Sequence, residues 1–211
     1  GAGNNGGDAL AIVRQLAELD YVCEIYLLDL GKDIKSSPAI NWQRLLKQSK
    51  VKLSKITSKN EFPKINNGDV ILDGMFGSGL TRALEGFPAE IINQINQLKN
   101  TVVSIDIPSG LKGEDNTENI PENIIKADFT LTFQFPKISF LFAENEKYVG
   151  NWEMLPIGLH PDGIAKIPTD YFFIEKADIH QILPKRSQFA HKGTFGHALL
   201  ISGSTGKMGA A

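Results

Sequence analysis

The 211 residues carry 22 Lys and Arg against 24 Asp and Glu, a formal charge of −2, with 42% hydrophobic and 22% charged residues. That is the balance of an ordinary globular protein with one full domain and a remainder, and it offers no electrostatic footprint for nucleic acid or an anionic membrane. No apolar run approaches the roughly 20 residues that cross a bilayer, and no signal-peptide pattern is visible. A single cysteine, Cys23, excludes an internal disulfide; in the apolar run YVCEIYLL it reads as a small buried residue of a reducing, cytoplasmic compartment.

The opening GAGNNGGDALAIVRQLAEL is a glycine-rich loop running into a helix, with Leu10, Val13 and Ala17 on one side and Ile12, Leu16 and Leu19 beside them. So wide an apolar stripe suits a helix packed on a sheet. Free amides at such a helix start attract an anion, and Asn4, Asn5 and Asp8 add side-chain oxygens. The spacing fits neither the usual dinucleotide fingerprint nor the phosphate loop that ends in Gly-Lys-Ser/Thr. Gly1, Ala2 and Gly3 read as a loop whose preceding strand, expected to lie central in the sheet, is missing from this sequence. Residues 22–28 form a β-rich run without polar alternation, as expected of a parallel strand covered on both faces. A helix is expected over 37–48, capped by Ser36 or Ser37 with Pro38 in its first turn. A short strand follows at 50–56, then a polar irregular stretch at 60–68.

Residues 69–79, DVILDGMFGSG, run from an apolar strand into a carboxylate, Asp73, and then into glycines. After a helix expected from Pro88, with Ile91, Ile92, Ile95 and Leu98 facing the core, residues 102–110 repeat that grammar as VVSIDIPSG. Ligands of open α/β sheets bind beyond the carboxyl ends of the strands, and one right-handed crossover makes two such strands near neighbours. Asp73, Asp106 and the glycine loop are therefore expected to converge at one rim. A polar stretch at 113–123, expected to be mobile, leads to a strand at 127–133 that delivers Lys137 past its end. Short strands are expected at 140–142, 148–155 and 171–174. The whole reads as a three-layer, Rossmann-like α/β fold with a mainly parallel sheet lacking its first strand.

The ordered set GNNGGD, the strand ending in Asp73 before a glycine loop, SIDIPSGL and ADFTLTFQFPK resembles the NAD(P)H-hydrate epimerase family, the YjeF N-terminal domain. The resemblance implies an isomerase that interconverts the R and S forms of hydrated NADH or NADPH, a damaged nicotinamide cofactor with water added at C6, with a potassium ion near the site. It implies that Asn4, Asn5, Gly6, Gly7 and Asp8 line the dinucleotide site. Gly77, Ser78, Gly79, Leu80, Thr81, Arg82 and Ala83 border the substrate, and Asp106 touches the altered ring. Asn5, Asp73 and Ser109 are the implied potassium ligands, an oxygen set suited to a hard cation. Epimerising a carbon that bears both a hydroxyl and a ring nitrogen means breaking and remaking one of those bonds, so a proton must be moved and returned. Asp106 is assigned that acid/base role, with Lys137 as its charge partner.

The epimerase resemblance assigns residues 1–176 to that domain, truncated at its N-terminus. The remainder, 177–211, resembles the opening of the ribokinase-like, ADP/ATP-dependent NAD(P)H-hydrate dehydratase domain of bifunctional family members. Its residues 197–202 read as a buried strand before a glycine turn, and His191 and His197 as structural rather than metal-binding. The parent is expected to dehydrate the S form with ADP or ATP; this fragment is not. Two positions depart from the family: Ala9 stands where glycine is frequent, and Lys112 where an acid is usual. A homo-oligomer is compatible with the family. Two other classes compete with the repair enzyme. One is a non-catalytic nucleotide-binding or interaction scaffold of the same fold, as in RNA-decapping factors or lipoprotein-binding relatives, which has no need of Asn5, Asp73, Asp106 and Ser109 together. The other is an ordinary NAD-dependent dehydrogenase, for which Asp29 is available but the usual glycine spacing is not.

Overall fold

The apolar stripe after the opening glycines forms α1 (Asn4–Glu18), which buries Leu10, Val13 and Ala17. The helix starts earlier than expected: Asn4, Asn5, Gly6 and Gly7 are its first turn rather than a loop before it. Close approach of backbone demands the small residues here, because a Cβ on Gly6 would lie 1.8 Å from the Gly1 carbonyl oxygen. The computed structural model describes residues 1–31, 33, 34, 36–183, 185–207 and 209. They divide into two units, residues 1–161 and 162–211.

In the first unit α1 is followed by β1 (Glu24–Leu28), α2 (Ser36–Gln48), β2 (Lys52–Ile56), β3 (Ile71–Asp73), α3 (Phe87–Asn96), β4 (Val102–Ile105), β5 (Phe129–Phe133), α4 (Glu146–Val149) and β6 (Asn151–Leu155). Every strand pairing among the described residues is parallel: β1 with β2 in one sheet, and β3-β4-β5-β6 in a second. No strand among the described residues joins β1 to β3. Alternation along the strands sorts side chains to two faces. Ile71 packs with Val102 and with Ile91, Ile92 and Ile95 of α3, whereas its neighbour Leu72 packs with Leu10, Val13 and Ala17 of α1 and Leu45 of α2. The sheets thus carry helices on both sides. Half-buried Cys23 joins the α1–α2 core, where burial raises its thiol pKa.

Several local expectations are corrected. Residues 138–141 form a 3₁₀ turn rather than a strand, because Ser139 N–H donates to the Gly113 carbonyl (3.0 Å) and Phe140 folds inward against Trp152. The strand expected over 148–155 begins as α4 and extends only from Asn151. Gly150 makes the switch at φ +60, where a Cβ would lie 2.4 Å from the carbonyl oxygens of Ala127 and Asp128. The polar stretch 113–123 is pinned rather than loose: Lys112 and Asn116 exchange two hydrogen bonds, and Asn119 donates to the Gly110 carbonyl (2.8 Å). Those bonds hold the backbone of Lys112, so this turn is independent of the family's usual acid.

The second unit contains α6 (Lys176–Ile182) with a Glu175/Asp178 capping box, after a short α5 (Pro161–Ala165). Neither residues 171–174 nor the expected buried strand at 197–202 forms a strand. A strand needs a paired neighbour, and none exists among the described residues of this unit; Phe172 is 83% exposed and Ile201 86%. His191 caps a 3₁₀ turn by accepting the Gly193 N–H (3.2 Å), a structural role as expected.

Candidate active site

Parallel pairing of β3 with β4 sets Asp73 opposite Ser104, two residues before Asp106. The two carboxylates that share a sequence grammar therefore leave the sheet side by side. Asp73 is fully buried among donors. Its Oδ2 accepts the Ser104 hydroxyl (2.9 Å) and the Ser109 N–H (2.8 Å), and its Oδ1 accepts the Ser109 hydroxyl (2.6 Å) and the Met75 N–H (3.2 Å). Burial nevertheless dominates and lifts the Asp73 carboxyl above its ordinary range, the hydrogen bonds only opposing the shift. A positive charge alongside would relieve that burial cost.

Asp106 is built differently. It has φ +65, and Ile107 N–H bonds back to the Ile105 carbonyl (2.8 Å), closing a γ-turn around it. Such a conformation at a non-glycine residue persists only where its surroundings over-determine it. Here they do: Asp106 N–H donates to the Leu131 carbonyl (2.7 Å), while Pro108 to Leu111 form a turn in which Gly110, at φ +98, has no room for a Cβ beside the Asn123 carbonyl. Lys137 Nζ lies 2.7 Å from Asp106 Oδ1 and is also held by the carbonyls of Phe133 (3.5 Å) and Phe135 (3.4 Å). The Phe133 N–H adds a second donor to the same carboxylate oxygen (3.2 Å). Oδ1 is thus clamped, whereas Oδ2 accepts no hydrogen bond from the described residues.

The first turn of α1 closes the third side. Asn5 Nδ2 donates to the Phe76 carbonyl (2.8 Å), and the Phe76 N–H donates to Ser109 Oγ (2.9 Å), whose own proton goes to Asp73. Gly77 and Gly74 permit this approach, since a Cβ on Gly77 would lie 3.0 Å from that of Asn5, and one on Gly74 2.6 Å from that of Ala9. Ala9 is accommodated because Gly74 faces it. Asn5 Oδ1 is buried and has no hydrogen-bond partner, an exception that calls for a ligand. Partial burial and, behind it, the charge of Asp106 raise the Asp8 carboxyl pKa.

Of the residues singled out in the sequence, Asn5, Asp73, Ser109, Asp106 and Lys137 thus form one connected rim. Gly6 and Gly7 are buried in the α1 turn, and Asn4 and Asp8 stand at its solvent side. The loop after β3 is more dispersed. Gly77 touches Asn5 and Leu80 packs on the α3 core, whereas Ser78, Gly79, Thr81 and Arg82 are exposed and Ala83 is half-buried. Sequence reasoning missed Ser104 and the backbone groups of Phe76 and Phe133. A fully buried serine in the otherwise apolar VVSID was the one visible signal.

A parallel α/β sheet with helices on both sides and its polar groups gathered beyond the strand ends, against a glycine-rich helix start, defines a Rossmann-like protein. The family model described as YjeF-related protein N-terminus matches residues 1–139, and the chain belongs to that family. It is 31% identical over 153 residues to an NAD(P)H-hydrate epimerase of Limosilactobacillus reuteri, covering 72% of this chain and 68% of the relative. It is 30% identical over 214 residues to the bifunctional NAD(P)H-hydrate repair enzyme Nnr of Moorella thermoacetica, covering 100% of this chain but 40% of the relative. The chain spans about two fifths of the length of such bifunctional relatives. The crystal structure of yeast ynu0 shares the fold, with a TM-score of 0.59 at 20% identity over 83% of this chain and 72% of that one.

Proposed function

We propose that the chain carries the epimerase site of an NAD(P)H-hydrate repair enzyme, which equilibrates the R and S hydrates of NADH and NADPH in the cytoplasm. The observation that carries this reading is the one-sided clamp on Asp106: a buried carboxylate in a strained turn, with one oxygen fixed by Lys137 and the Phe133 N–H and the other open. A scaffold has no use for that strain, whereas an acid/base group needs it to hold one oxygen toward the substrate. At C6 of the hydrated ring, one bond to hydroxyl or ring nitrogen breaks and reforms from the other face. If the C6–N1 bond breaks, Asp106 Oδ2 takes the hydroxyl proton as C6 becomes an aldehyde and returns it to that oxygen when N1 closes on the other face. If the C6–O bond breaks, protonated Asp106 gives its proton to the departing hydroxyl and takes one back from the water that adds to the other face. In either case Lys137 keeps the carboxylate oriented.

The oxygen set of Asn5, Asp73 and Ser109 fits potassium. Asn5 Oδ1 is an orphaned buried acceptor, and Asp73 is a buried carboxylate whose hydrogen bonds only partly offset its burial. When bound, a potassium ion supplies fixed positive charge against Asp73 and a Lewis-acid contact for substrate oxygen. The dinucleotide lies over Asn4, Asn5, Gly6, Gly7 and Asp8, bordered by the loop from Gly77 to Ala83. In a longer parent, the segment from 177 onward opens an ADP- or ATP-dependent dehydratase.

The test is chromatographic. Pure R-hydrate, incubated with the protein with and without potassium, is expected to yield the S form faster than it does spontaneously, and faster with the ion. Equal rates with and without a folded protein would remove the reading.

A further inference from the structure

The clamp on Asp106 joins two segments that are far apart in the chain. Asp106 leads into the turn that ends at Gly110, and Lys137 leads into the 3₁₀ turn at 138–141. Beneath the rim, Ile107 and Leu111 of the first segment and Phe140 of the second share one apolar cluster with Ile124, Tyr148 and Val149. That cluster supplies a floor, but apolar contact is non-directional and does not set the spacing of polar groups above it.

A chain of hydrogen bonds does. Asn119 Nδ2 donates to the Gly110 carbonyl (2.8 Å) and to Asn116 Oδ1 (2.8 Å). Asn116 grips both backbone groups of Lys112, accepting its N–H (2.9 Å) on Oδ1 and donating to its carbonyl (2.8 Å) from Nδ2. The next carbonyl, that of Gly113, accepts the Ser139 N–H (3.0 Å), two residues beyond Lys137. Ser139 is held from its other side too, where its carbonyl accepts the buried Asn145 Nδ2 (2.9 Å). The loop 112–119 is therefore a strut between the Asp106 turn and the Lys137 turn. It has little slack, since Asn119 Oδ1 accepts the Ile120 N–H (2.9 Å) and the Asn119 N–H bonds to the Asn116 carbonyl (3.0 Å). A side-chain network whose members are satisfied rigidifies what it joins.

We infer that Asn119 is a positioning residue for the acid/base pair: through Asn116 and Gly113 it sets the approach of Lys137 to Asp106, keeping Asp106 Oδ1 occupied and Oδ2 open. The inference rests on the repair-epimerase reading for its kinetic consequence only. A small displacement suffices, because misplacement of about 1 Å by a change outside the reacting groups already costs rate.

The test compares Asn119→Asp and Asn119→Ala with Asn100→Ala in the full chain, each checked for fold by circular dichroism and urea denaturation. Asn119→Asp keeps the acceptor for the Ile120 N–H and withdraws only the two donations, which separates the strut from its local turn. Asn100 also donates to two carbonyls, those of Asn66 and Asp69 (2.8 Å each), at the ends of β3 and β4 opposite Asp73 and Asp106, and is the control for lost hydrogen bonds alone. The first readout needs no substrate. It is the rate at which acetic anhydride acetylates Lys137, whose paired side chain is 17% exposed, followed by mass spectrometry. Both Asn119 variants are expected to speed that reaction about threefold or more, and Asn100→Ala to leave it unchanged. The second readout is kinetic. Asn119→Asp lowers kcat for R-to-S conversion about tenfold with KM within about twofold, and costs less than about twofold when Lys137→Met is already present, because it acts through Lys137. Unchanged acetylation of Lys137, an equal effect of Asn100→Ala, or a kcat loss undiminished beside Lys137→Met overturns the inference. Faster acetylation in a protein whose native form shows no epimerisation upholds the strut and removes the activity reading instead.

Discussion

Asp73 and Asp106 end neighbouring parallel strands in the same words of sequence, an apolar run, a carboxylate and then glycine or proline turns, yet the fold puts them to opposite uses. Asp73 accepts four hydrogen bonds on its two oxygens, and it ties β3, β4 and the Ser109 turn together. Asp106 is strained and half-satisfied, with one oxygen clamped and one open. A carboxylate becomes structural or reactive through its neighbours' donors, and three residues decide the difference here. Ser104 and Ser109 both turn toward Asp73, while Lys137 turns toward Asp106.

The largest effect that would break this comparison is on activity. Asp106→Asn is expected to lower epimerisation by about 10²- to 10⁴-fold, the contribution typical of a positioned acid/base group. Asparagine tolerates positive φ, so urea unfolding should register little change. Next, Asp73→Ala strands the Ser104 and Ser109 hydroxyls and two N–H groups without an acceptor. Its expected cost is roughly 2–5 kcal/mol of stability, read from urea denaturation midpoints. If both variants lost stability equally, the division of labour would be wrong.

Lys137→Met is expected to reduce kcat about tenfold or more and to shift the pH–rate profile, with Lys137→Arg restoring part of both. A loss in KM alone would make Lys137 a binding residue rather than the partner of Asp106. The smallest effect concerns pH. The folded pKa of Asp73 lies above its ordinary value of 3.8, so between that value and its folded pKa the native state holds a proton that the unfolded state has released. Stability therefore falls as pH rises through that window. Saturating potassium should flatten the slope and stabilise the fold by an amount on the order of 1–3 kcal/mol, seen as a higher melting temperature; melting that does not respond to potassium would count against the ion.

Most of the rim was legible because strand periodicity and crossover handedness are local rules with a geometric consequence. Once 69–73 and 102–106 read as parallel strands with one helix between them, Asp73 and Asp106 had to emerge together. Lys137 was legible as a residue past a strand end, and its pairing with Asp106 came only through the family resemblance, because nothing but the β4–β5 register brings residue 137 back to residue 106. The strain at Asp106 was invisible for a related reason: its positive φ is imposed by bonds from Leu131 and the Gly110 turn, both distant in sequence or small. Residues 140–142, 171–174 and 197–202 misled because a short apolar run carries no sign of whether a neighbouring edge exists to pair with it.

The most direct measurement is to follow R-to-S conversion by the native protein and by Asp106→Asn, each alongside its potassium-dependent melting. The account predicts that the variant loses epimerisation while keeping its stabilisation by potassium, since the ion's oxygens belong to Asn5, Asp73 and Ser109. Full epimerase activity in a folded Asp106→Asn protein, or loss of the potassium effect along with the activity, would contradict it.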